Sequence, residues 1–197
     1  VFTTKNRRTA GRPRQFDPDQ AVATAQGLFH AKGYDRVSLA ELTDALGIKP
    51  PSFYAAFGNK HGLYARVLDR YAETGAIPFA EILRDDQPVA HGLKTLLEEA
   101  ARRYGADPGA PGCLVLEGTR CHDADARAAA GVFHCAAQDL IRAYVAARVP
   151  EAADRVTDFV ATVMAGLSAK AREGHDADRL LASARLAGQA LTKELPG

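Results

Sequence analysis

The chain has 197 residues, 47% hydrophobic and 25% charged, with a net charge of +1, no Trp and three Cys. That length suits one or two domains with a buried core, no apolar run approaches a membrane span, and three cysteines do not make a disulfide framework. No signal-peptide pattern is found, so the expectation is a soluble cytoplasmic protein whose thiols are reduced.

Residues 1–14, VFTTKNRRTAGRPR, hold Lys5, Arg7, Arg8, Arg12 and Arg14 and no acid. They lack apolar periodicity, and Gly11 and Pro13 fit an extended basic arm suited to phosphate or minor-groove contacts. A helix is predicted over 16–32: Asp17 is its N-cap, Pro18 its first helical residue, and Ala21, Val22, Ala25, Leu28 and Phe29 its apolar stripe. Gly33 ends it.

Residues 38–60, SLAELTDALGIKPPSFYAAFGNK, carry the densest pattern. Ser38 and Glu41 form a capping box. Leu39, Leu42 and Leu46 share a face, and Gly47 supplies the left-handed stop. Pro50 and Pro51 open a second helix, where a missing N–H costs nothing, and Phe53 and Phe57 give it a buried side. Two short helices crossing at a glycine turn form a helix-turn-helix, whose second helix enters the major groove. The motif spans about 38–57 within a head of residues 15–74. Ser38, at a helix N-terminus, and Thr43, on the predicted polar side, are phosphate candidates. Lys49, Pro50 and Ser52 begin the second helix and are the base-edge candidates, with Arg12 and Arg14 contributing from the arm. Residues 1–60 hold nine Lys/Arg and five Asp/Glu against +1 for the whole chain, the asymmetry expected if only the head meets nucleic acid.

The sequence GRPR, then LFHAKGYDRVSLAELTDALGI, then SFYAAFGNKHGLY resembles the TetR family of bacterial transcriptional regulators over roughly residues 11–70. The resemblance implies an all-α protein: an N-terminal three-helix DNA-binding head and a larger C-terminal helical domain, residues 75–197, for effector binding and dimerisation. It places the Tyr54 hydroxyl and Lys60 on phosphates. Two departures stand out. Lys49 replaces a frequent Ser cap, and Ala55-Ala56 replace a frequently bulky pair, so the sequence leaves the operator undefined.

Further helices are predicted over 59–74, 88–104, 114–119, 123–148, 151–173 and 176–195, with 105–112 a loop. The resemblance implies a homodimer formed by the last two helices, with Phe159, Val163, Leu167, Leu180, Ala184 and Leu191 as interface candidates. It also implies an effector pocket among the middle helices, for which Tyr64, Leu68, Tyr71, Phe79, Leu96, Tyr104, Leu116, Phe133 and Tyr144 are candidates. The implied partners are double-stranded DNA, a second copy of the chain and a small-molecule effector.

Cys113 follows Pro111-Gly112 near a predicted helix start, and Gly112-Cys113-Leu114 resembles a segment of family members that sense electrophiles or oxidants, making Cys113 a candidate thiol sensor. Cys121-His122 and His134-Cys135 look like a metal pair, but 14 residues of helix separate them by about 21 Å, so no metal and no cofactor are expected. Glu98-Glu99, His122-Asp123 and His175-Asp176 are scattered, and neighbours on a helix do not face each other. With no phosphate loop or nucleophile elbow, an enzyme is not expected. Two alternatives accompany the ligand-relieved repressor: a thiol- or oxidant-responsive regulator on the same scaffold, and a helical protein-interaction module with a degenerate head.

Overall fold

Helix ends fall where capping residues put them. In the computed structural model, which describes residues 17–195, the Asp17 carboxylate accepts the N–H groups of Asp19 (3.0 Å) and Gln20 (3.4 Å), opening α1, Pro18–Lys32. Ser38 Oγ accepts the Glu41 N–H (3.1 Å) to start α2, Leu39–Leu46. Gly47 then adopts φ 65°, ψ 31°, and the Ile48 N–H reaches the Thr43 carbonyl (3.1 Å). This left-handed turn is available to glycine without a Cβ penalty. α3 runs Pro50–Phe57. Asn59 caps α4, Lys60–Thr74, by accepting the Gly62 N–H at 2.7 Å. The basic arm lies outside the described residues.

The body is also helical: α5 (Phe79–Ile82), α6 (Val89–Gly105), α7 (Leu114–Gly118), α8 (Ala124–Ala146), α9 (Ala153–Arg172) and α10 (Ala177–Glu194). No strand occurs among the described residues, and none of their helices is long and apolar enough to cross a membrane. The predicted boundaries agree within about two residues. The short α5 and a 3₁₀ turn at Pro150–Ala152 were not anticipated, because elements of one turn show no periodicity.

α6 forms the spine of the body. It packs most extensively on α10, then on α9. Leu93, Leu96, Leu97 and Ala100 on α6 are fully enclosed. α10 answers with Leu180, Ala184, Gly188 and Leu191, one residue per turn. This corrects part of the dimer expectation. Leu167 of α9 and Leu180, Ala184 and Leu191 of α10 are each no more than 3% exposed within one chain, the α10 stripe being used against α6. Of the six interface candidates, Phe159 (39% exposed) and the half-buried Val163 retain outward surface. Leu186, 68% exposed on the opposite side of α10, joins them as an outward apolar residue.

The α6–α10 approach depends on Gly105. A Cβ there would lie 2.8 Å from both the Cα and the N of Ala177, backbone atoms that cannot rotate away. Gly105→Ala is therefore expected to destabilise the fold by about 1–3 kcal/mol through overpacking, read as a lower midpoint in urea unfolding with unchanged slope.

Candidate nucleic-acid interface

The α2–turn–α3 unit is held from behind. Leu42 and Phe53 are wholly buried and Phe57 nearly so. Phe53 packs against Phe57 (ring centroids 5.4 Å) and edge-on to Tyr54 (5.9 Å). With both phenylalanines turned inward, Lys49, Pro50, Pro51, Ser52, Tyr54 and Ala55 are exposed. That is the arrangement by which a recognition helix presents its N-terminal residues to base edges. Lys49 takes the N-cap position without a side-chain cap hydrogen bond; Pro50 and Pro51 have no N–H to cap, and the Ser52 and Phe53 N–H groups both donate to the Lys49 carbonyl (3.0 and 3.1 Å).

Ser38 is exposed, and while its oxygen caps α2 its hydroxyl proton can be donated outward. Thr43 departs from expectation. It is 5% exposed and its Oγ1 donates to the Ala40 carbonyl (2.9 Å), so it faces the helix interior rather than a phosphate. Lys60 is also engaged: its Nζ lies 4.0 Å from the centroid of the Tyr34 ring, a cation–π contact. Burial lowers its pKa, partly offset by Asp35 and Asp123. A phosphate contact would require it to leave that ring. Arg12 and Arg14 lie outside the described residues.

Charge separates the arm from the folded head. Residues 17–60 hold four Lys/Arg (Lys32, Arg36, Lys49, Lys60) and five Asp/Glu, and Lys32 is paired with Glu41. The positive excess of the first sixty residues thus resides in the arm, which holds five cations and no acid.

Behind the head, α4, α5, α6, α7, α8 and α9 line a half-open cavity of about 470 Å³. Tyr71, Phe79, Tyr104, Leu116 and Phe133 line it as expected, together with Ile141 and Met164. Tyr64, Leu68, Leu96 and Tyr144 do not. Tyr64 is occupied by Phe29 (5.1 Å) and Tyr34 (4.8 Å), Leu68 and Leu96 are sealed between helices, and Tyr144 lies under Arg148 (5.0 Å). Ile141 and Met164 were missed because nothing in an apolar stripe distinguishes a cavity wall from a filled core. Glu81, His134 and Gln138 supply the polar lining, and Cys113 is on the wall. The Tyr71 hydroxyl lies 3.6 Å from Cys113 Sγ. Burial is the main cause that raises the pKa of both Tyr71 and Tyr104, so both phenols remain protonated donors.

Three polar ties join α1 and the turn after it to the body, none legible from local sequence because their partners are more than 80 residues apart. His30 Nε2 meets the Gly112 carbonyl (3.1 Å). Arg172 donates to the His30 carbonyl (3.0 Å) and faces Glu117 (3.2 Å). Asp35 accepts the His122 N–H (2.8 Å) and its Nδ1–H (3.2 Å), and the first of these bonds is the main cause that lowers the Asp35 pKa.

The bacterial regulatory protein model of the tetR family matches residues 21–67. The chain is 56% identical over 191 residues to the HTH-type transcriptional repressor BdcR of Escherichia coli (strain K12), covering 97% of each. It is 29% identical over 186 residues to the repressor ComR of the same organism, covering 89% of each. Among solved structures it is similar to a cysteine mutant of the regulator CifR complexed with 26-bp double-strand operator DNA. That match has a TM-score of 0.81 at 32% identity and covers 91% of this chain and 99% of that one.

Burial lowers the His30 pKa below its usual 6.5, so the unfolded chain binds the proton more readily than the fold does. Stability is then fully present above about pH 6.5 and falls as pH drops through the folded value. Urea unfolding at pH 7.5 and 5.5 is expected to show this loss in the wild type and a smaller one in His30→Gln.

Proposed function

The chain belongs to the TetR family of bacterial regulatory proteins and is a DNA-binding transcriptional regulator; from that premise we propose that it represses by binding a palindromic operator as a homodimer and is released by a small apolar effector. The observation that carries this reading is the outward face of α3, from Lys49 to Ala55, displayed by the burial of Phe53 and Phe57. In this reading Lys49, Pro50 and Ser52 approach base edges, while Ser38, Tyr54 and the arm residues Arg12 and Arg14 meet phosphates. Lys60 joins them once freed from Tyr34. The head spans residues 15–74 and the remainder forms the effector and dimerisation domain.

Phe159, Val163 and Leu186 supply apolar surface for the second copy. The cavity lined by Tyr71, Tyr104, Leu116 and Phe133 holds the effector, which shifts the spacing of the heads only by the difference in its affinity for the two states. A second reading rests on Cys113: its thiol is on the cavity wall within 3.6 Å of a phenol, so an oxidant or electrophile entering the cavity would meet it there.

Selection of bound DNA from a random pool is expected to recover a two-fold symmetric site, and recovery of unrelated sequences would contradict the reading. Tyr54→Phe is expected to weaken binding about thirtyfold at every site alike, the value of two hydrogen bonds, one from each protomer, of about 1 kcal/mol each. Loss of discrimination at one base position would instead make Tyr54 a base reader. Removing residues 1–14 from both protomers is expected to lower the salt slope of log K by up to about 9, or 0.9 per neutralised phosphate for the five cations of each arm. If Cys113 is the switch, mild oxidant releases DNA from the wild type and not from Cys113→Ser.

A further inference from the structure

His30 belongs to the last turn of α1, yet it touches the cavity wall from two sides. Its ring stands edge-on to Tyr71, with centroids 5.6 Å apart and planes at 88°. Its Nε2 meets the Gly112 carbonyl at 3.1 Å. Tyr71 lines the cavity, and so does Cys113, the residue after Gly112. Gly112 has φ 77° and is closed in behind: a Cβ there would lie 2.8 Å from Ser168 Oγ and 2.9 Å from the Ser168 carbonyl. The Cys113 N–H donates to the same Ser168 hydroxyl (2.9 Å). The wall at this point is therefore braced from α9 and can transmit displacement rather than absorb it.

The other side of His30 leads into the DNA-binding unit. Phe29, its neighbour, is fully buried and stacks on Tyr34 at 5.7 Å. Lys32, two residues on, is paired with Glu41 in the first turn of α2. α2 in turn carries Leu42, buried with Phe53 in the same core. The Arg172 guanidinium, facing Glu117 of α7, fixes the His30 carbonyl. One side chain thus bridges the cavity wall and the helix that braces the reading unit.

We propose that His30 is the positioning residue through which occupancy of the cavity reaches the head: an occupant that displaces Tyr71 or the Gly112–Cys113 segment moves the end of α1, and α2 follows through Lys32–Glu41. This inference rests on the effector reading of the cavity. It assigns the transmission to α1, whereas α4, which also joins the two parts, is continuous through Tyr71 and would act without His30.

The test fills the cavity by substitution and reads the head by hydrogen exchange, so it requires neither operator nor effector. Ala137 lines the cavity from α8, and Ala137→Phe adds a ring to it. Ala161→Leu, from α9, serves if the first variant does not fold by circular dichroism. Filling the cavity is expected to change exchange of the amides in residues 39–57 at least threefold. Adding His30→Leu, which keeps bulk and removes the donor, is expected to abolish that change. Adding His30→Gln, which retains an N–H for the Gly112 carbonyl, is expected to restore most of it. A full response in the His30→Leu background would overturn the proposal in favour of α4, and no response to filling in the wild type would overturn it outright. A failed search for an operator would remove the regulator reading and leave this result standing, so the two failures are distinguishable.

Discussion

The head is organised around three aromatic rings in mutual contact. Phe29 of α1, Tyr34 of the following turn and Tyr64 of α4 are mutually within 5.7 Å and almost wholly buried. They join the bracing helix of the head, the entry to the reading unit and the helix that leads into the body. Tyr64 reaches this position because residue 118 on α7 is glycine. A side chain there would occupy the space of the Tyr64 hydroxyl and lie 2.6 Å from Ala130 Cβ. Burial raises the pKa of Tyr34 to about 12 and that of Tyr64 also, so the node stays neutral across the physiological range. Such pairs stabilise by about 0.5–1.5 kcal/mol each beyond their buried area, which fixes α1, the turn after it and α4 against one another.

Around that node the chain divides its physics. Apolar packing builds the scaffold, with the inner face of α3 anchored so that the outer face is free to read. Charge is segregated elsewhere: the folded part of the head is not basic, and the arm holds five cations without an acid. In the proposed function the long-ranged, salt-dependent phosphate attraction comes chiefly from the arm, and base recognition, which needs a rigid helix in fixed register, comes from α3. The polar ties between head and body sit where an apolar contact would serve packing equally well. Their directionality makes them sensitive to small displacements of the cavity wall.

The reading unit was almost wholly legible in the sequence because its signals are local. Ser38, Glu41, Gly47 and Pro50 each state their role within four residues, and the structure agrees at each, whereas Asn59, read as the first residue of its helix, is its N-cap. Thr43 shows the limit of that reasoning. A short polar residue beside Leu42 was assigned to the surface, but it is buried and its hydroxyl turns back to the Ala40 carbonyl. The stripe of α10 shows another limit. Periodicity revealed an apolar face with Leu180, Ala184 and Leu191, but could not say whether α6 or a second chain covers it. The cavity was half legible, since Tyr71 and Tyr104 read no differently from Tyr64 and Tyr144. Contacts such as His30 with Gly112 left no sequence signal, because each partner is ordinary in its own neighbourhood.

In the proposed complex two copies of α3 enter the major groove on one face of the duplex. Dimethyl sulfate methylates guanine N7 on the major-groove edge, so methylation interference on the selected site measures this directly. The account predicts two clusters of interfering guanines, symmetric about the dyad and centred about one helical turn, roughly 10–10.5 bp, or a small whole number of turns apart. A single cluster, or binding indifferent to N7 methylation throughout the site, would contradict it.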